Sequence, residues 1–147
     1  MLNSDTTGLL SGIYKLARTG MQASKTVIEK AEDSRLREEL SAQYINYFKT
    51  ANEAESLLVE EGITPNDNGP MTKAIMWGSI QLHTLGNVST SHISEIMING
   101  TTMGIIDLTK HLSEYKNADE ASKNMAKNFI HKEECYVDEL KQFLGKK

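Results

Sequence analysis

An apolar repeat with a step of three or four residues recurs in separate stretches of this chain, and it narrows the choice of fold more than any other feature. The first stretch runs Leu9, Ile13, Leu16, Gly20, Ser24, Val27, Ala31, and the second runs Leu36, Leu40, Gln43, Tyr47, Ala51, Ala54, Leu58. That step places every member on one face of an α-helix, whereas a strand would scatter them over both faces. A third stripe comprises Ile93, Ile96, Met97, Gly100, Met103, Gly104, Leu108 and Leu112. A fourth comprises Met125, Phe129, Lys132, Tyr136, Leu140 and Phe143, with Ile130, Val137 and Leu144 beside it. One-sided helices must bury their stripes against each other, so the pattern predicts an all-α bundle. A length of 147 residues suits a single domain spanning 1–147 with a substantial core.

Turn residues divide the stripes. Ser4 or Asp5 is the expected N-cap of the first helix, and Asp33-Ser34 interrupts the pattern and caps the second. Gly62 with Pro65 closes the second, Gly86-Asn87 precedes the third, and Asn117 to Glu120 has the spacing of a capping box for the fourth. The predicted helices are therefore 5–32, 34–61, 89–115 and 118–144. Each is about 40 Å long at 1.5 Å per residue. The turn at Asp33 is too short for anything but antiparallel neighbours. After the loop at 63–69, Pro70 suits the first position of a shorter helix over 71–85. The whole connection from Gly62 to Val88 can run the length of the bundle, which would leave the second and third helices parallel. The alternative is a five-helix array with 71–85 as an ordinary member.

Composition limits the partners. A formal charge of -4 argues against a nucleic-acid surface, which needs a basic face. Lys123, Lys127, Lys132, Lys141, Lys146 and Lys147 gather near the C-terminus, where they complement a helix dipole. No stretch approaches the roughly 20 apolar residues of a membrane span. Residues 1–7 lack the apolar core of a signal peptide, and the lone Cys135 permits no intrachain disulfide. The expectation is a cytoplasmic protein.

The chemistry is marked by what the helices lack. Di-metal bundles draw Glu from two helices and Glu-x-x-His from the other two, and this chain contains no Glu-x-x-His. The pairs His92/Glu95, His111/Glu114 and His131/Glu134 have the reverse order. His92 and His111 would stand roughly 28 Å apart on one helix, too far to share an ion. The remaining metal candidate is His131 with Glu134, joined by carboxylates such as Glu29, Glu95 and Asp107. Cys135, beside Glu133 and Glu134, is in a poor setting for a nucleophilic thiolate and is expected at the core edge. Met21 and His131 could be imagined as haem ligands, but methionine at helical spacing usually fills a core. Gly20, Gly100 and Gly104 cost helix propensity and imply close helix approach or a central cavity. In the second case Gln22, Gln43, Tyr47, Thr101 and Asp107, with Tyr44, would line a polar pocket.

Thr19-Gly20-Met21-Gln22, Glu29-Lys30, Ser34-Arg35-Leu36-Arg37, Trp77-Gly78 and Asn99-Gly100-Thr101-Thr102 together resemble a family of small bacterial ferritin-like four-helix proteins of unassigned function. The likeness is diffuse and extends from Leu9 to Leu144. Leu36-Arg37 and Glu61-Gly62 are similar, more weakly, to spore-coat F-type bundle proteins. The resemblance implies a ferritin-like bundle with one long crossover carrying the short extra helix. Where that family places acidic residues after its glycines, this chain has Met21-Gln22 and Thr101-Thr102, which cannot supply a bridging carboxylate. The expected function is thus a non-enzymatic binding, structural or assembly module. It would have no catalytic residues and no cofactor, and would act as a homo-oligomer or with a protein partner. Tyr14, Tyr44, Phe48 and Trp77 are candidate contact residues, and spore association would follow from the weaker likeness. The alternative is an iron- or manganese-binding redox or storage protein with a rearranged site at His131 and Glu134.

Overall fold

The computed structural model describes residues 3–65 and 85–147. The expected crossover helix, apart from Leu85, and Trp77 lie outside them. The described residues form an all-α four-helix bundle of α1 (Ser4–Lys30), α2 (Ser34–Glu60), α3 (Thr90–Glu114) and α4 (Glu120–Lys141).

Each helix starts on a side chain that accepts from an otherwise orphaned N–H, as helix starts require. Asn3 accepts from Thr6 N at 2.8 Å, Asp33 from Leu36 N at 2.9 Å, Ser89 from His92 N at 3.2 Å and Asp119 from Ser122 N at 2.8 Å. Two starts differ from the sequence expectation. Asn3, not Ser4 or Asp5, caps α1, because Asp5 is engaged across the bundle as acceptor for Asn117 N at 2.9 Å. Asp119, not Asn117, caps α4, because Asn117 spends its backbone groups on Asn3 and Asp5. Gly62 closes α2 with φ +74°, a conformation natural to glycine, and Ile63 N returns to Leu58 O at 3.0 Å.

Contacts across the bundle fix the helix directions. On α1, Gly8 lies against Tyr115 and Gly12 against His111, so α1 and α3 are antiparallel. Tyr47 meets Glu133 while Arg35 reaches Gln142, so α2 and α4 are antiparallel as well. With α1–α2 and α3–α4 as closely packed antiparallel hairpins, α2 and α3 point the same way.

The apolar core falls into two clusters. The larger contains Leu9, Ile13, Leu16, Ala51, Leu108 and Phe129, and the smaller contains Val27, Leu36, Leu40, Ile93, Leu140 and Phe143. Toward mid-bundle each helix contributes a buried polar residue: Ser24 from α1, Gln43 from α2, Thr101 from α3 and Glu133 from α4. This belt is the part of the fold that positions a site.

Candidate functional site

On α4 the buried residues are Ser122, Ala126, Phe129, Glu133, Tyr136, Leu140 and then Phe143, alternating steps of four and three. Glu133 therefore occupies a core position, only 4% exposed. This corrects the expected fourth stripe, in which Lys132 stood there. Lys132 is exposed.

An isolated carboxylate in such a place is costly unless it is paired or neutral. Glu133 finds its partner on α2, where the Tyr47 hydroxyl donates to Glu133 Oε1. Burial pushes the Glu133 carboxyl up to about 8, and the Tyr47 bond pulls the other way. Burial thus favours the protonated form of Glu133. Oε2 faces Gly104, whose missing side chain leaves it room. Burial and the neighbouring Glu133 also raise the Tyr47 hydroxyl well above its ordinary range, a rise partly offset by a hydrogen bond with Thr101. The Tyr47 ring is held edge-on by Tyr136 at 5.7 Å between centroids and lies beside Phe129 at 6.1 Å. A third side of the ring faces Gly20, where an added Cβ would come within 2.8 Å of it. All four helices therefore contribute to one seat: α1 a gap, α2 the phenol, α3 a hydroxyl and a second gap, and α4 the acid.

The seat borders a small recess in the bundle wall. A recess of about 10 Å³ opens between α2 and α4, lined by Asn46, Tyr47, Thr50, Lys132, Glu133 and Tyr136 with Phe129. That volume is about enough for one water molecule. Beside it the Tyr136 hydroxyl is buried, with Asn46 as its polar neighbour among the described residues. Burial and the nearby Glu133 push this hydroxyl up to about 12. A larger groove of about 190 Å³ continues along the same face past Thr50, Phe129 and Lys132 to Asn124 and Asn128.

The residues singled out in the sequence are distributed unevenly around this centre. Tyr47 and Thr101 belong to it. Gln43 is fully buried in the belt, giving Nε2 to Glu39 at 3.1 Å and leaving Oε1 unmatched among the described residues. Gln22 is exposed, because its neighbour Met21 takes the inward position, and Asp107 and Tyr44 are half-buried. His131 and Glu134 are exposed, as are Glu29 and Glu95. Burying Phe129, Glu133 and Tyr136 turns residues 131, 134 and 135 outward. Cys135 is accordingly exposed rather than at the core edge, with Sγ 3.9 Å from His131 Nε2. His92 is half-buried, and His111 packs its ring against Tyr115 and Gly12. Among the described residues no three His, Cys, Asp or Glu side chains gather as a metal ligand set. Tyr14 is a core residue rather than a surface contact, whereas Phe48 is exposed.

A di-metal centre of the bundle type does not fit this donor set. It needs carboxylates from all four helices, and here the one carboxyl is closed by a phenol, while the buried polar residues of the other helices include a serine, a glutamine and a threonine.

No protein-family model matches the chain, and no curated protein or solved structure matches it either. No helix among the described residues is long and apolar enough to cross a membrane.

Proposed function

We propose that this protein is a ferritin-like bundle whose metal centre has given way to a closed hydrogen-bonded one, and that it works as a non-enzymatic binding, structural or assembly module. The observation that carries the reading is the set of buried polar residues near mid-bundle: Glu133 capped by Tyr47, with Ser24, Gln43 and Thr101 from the other helices and no second buried carboxylate among the described residues. The parallel course of α2 and α3 supports a long crossover, since the connection leaves one end of the bundle and re-enters at the other. Ile45, Phe48 and Val59, each about half exposed on α2, support self-association into a homo-oligomer. We place the protein in the cytoplasm, with spore association as the narrower variant.

Loading with iron, manganese and zinc, then desalting and elemental analysis, tests the reading together with light scattering on the eluted protein. The expected result is less than stoichiometric metal, and an oligomer that Phe48→Lys dissociates without loss of helix content. One or two ions per chain, lost in Glu133→Ala or His131→Ala, would replace this reading with a rearranged metal site. A strictly monomeric protein would remove the assembly role.

A further inference from the structure

The two hairpins are packed more closely within themselves than against each other. At mid-height one polar link between them is the hydrogen bond from Tyr47 on α2 to Glu133 on α4, with Thr101 of α3 joined to the same phenol. The recess between α2 and α4 reaches this link, for its lining includes Glu133 and Tyr136, whose hydroxyl is buried beside Asn46. A water entering there would meet polar atoms of Asn46, Thr50, Glu133 and Tyr136, enough partners to hold it.

We propose that Glu133 and Tyr47 form a proton-operated latch between the two hairpins, reached by solvent through the α2–α4 recess. With its proton on, Glu133 is a neutral acid that accepts from Tyr47 and rests against Gly104. With its proton off, a carboxylate is left in an apolar seat with one donor, and the cheaper state is one in which α2 and α4 part and water solvates it.

Among the described residues no cation acts on that carboxyl. From α2 the titratable neighbours are Tyr47 and, nearer Tyr136, Glu39. From α4 they are Tyr136 and Lys132, whose side chain stands at the mouth of the recess on the exposed side. α3 presents Thr101 and Gly104, and α1 presents Leu16 and Gly20, none of them charged. The latch depends only on this junction and holds whether or not the bundle self-associates.

Carboxyl-labelled glutamate, followed by NMR from about pH 5 to about pH 10, reads the latch directly in the intact protein. One carboxyl, absent from the Glu133→Gln spectrum, is expected to titrate near 8 rather than in the ordinary range. Amide protection in the middle of α2 and α4, corrected for intrinsic exchange, is expected to fall up to about tenfold per pH unit below that midpoint and then level off. Glu133→Gln should abolish this dependence. Tyr47→Phe keeps the ring in its seat but removes the donor to the carboxylate, so it should move the titration upward. A Glu133 carboxyl titrating in the ordinary range would overturn the latch. So would an unchanged titration in Tyr47→Phe, or protection that falls equally in Glu133→Gln.

Discussion

Gly20 and Gly104 sit on facing helices around one hydrogen-bonded pair, yet they should respond to alanine with opposite signs. Alanine gains about 1 kcal/mol of helix propensity over glycine at either site. At Gly20 the new Cβ would lie 2.8 Å from the buried Tyr47 ring, which is walled in by Phe129 and Tyr136 and cannot retreat. Overpacking of that kind costs roughly 1–3 kcal/mol, so Gly20→Ala should be net destabilising and should strain the Tyr47–Glu133 bond. At Gly104 the nearest atom is Glu133 Oε2 at 3.6 Å, an ordinary contact, so Gly104→Ala should be stabilising by up to about 1 kcal/mol. Urea midpoints of the two variants check this, and a stabilised Gly20→Ala would mean that the ring is not held as described. The same pair shows what the sequence could and could not convey. Glycines spaced along helical stripes announce close approach, but which side chain fills the gap depends on a partner helix far away in sequence. Glu133 was obscured locally: Lys132 and Glu133 both bridge Phe129 to Tyr136 with steps of three and four. Extending the register back to Ala126 and Ser122 selects Glu133. Gln22 misleads in the same way, since Met21 beside it fits the stripe and takes the interior.

At the scale of the helix, periodicity fixed the faces better than the ends. Every member of the expected second stripe, Leu36 to Leu58, is buried in α2. Its polar members Gln43 and Tyr47 are there because the register demands it. The ends were less legible because a cap depends on bonds made across the bundle. Asp119, Asn117, Asn3 and Ser4 are all plausible caps by residue type. Asp5 and Thr6 decide among them by receiving the N–H groups of Asn117 and Asp119, at 2.9 and 2.8 Å. Asp119→Ala should therefore cost about 1 kcal/mol, the usual loss for a removed N-cap, and should lower the Tm by several degrees. Asn117→Ala, which leaves the backbone bonds to Asn3 and Asp5 in place, should cost much less. Thermal unfolding followed by circular dichroism separates the two, and equal losses would restore the capping-box arrangement first expected from the sequence.

Across the molecule, the belt makes stability depend on pH in a direction unusual for a carboxyl. Most native carboxylates are stabilised as anions, so their proteins weaken in acid. Glu133 is raised in the folded state, to about 8 from an ordinary 4.5, so between those values the folded protein binds the extra proton. Its contribution is fully present below the ordinary value and is lost as pH rises through about 8, at roughly 1.4 kcal/mol per pH unit. Above that pH both states are ionised and the loss stops. The full span is of order a few kcal/mol, a large share of the stability typical of one domain. Water drawn into the α2–α4 recess would reduce it by solvating the anion before the bundle unfolds. Urea denaturation at a series of pH values should show stability falling from mildly acidic to mildly alkaline conditions in the native protein. In Glu133→Gln, whose amide oxygen still accepts from Tyr47 and carries no titrating proton, that fall should be largely gone. A native protein equally stable at both ends of the window would mean that Glu133 is already solvated in the folded state, and that the two apolar clusters hold the hairpins together without it.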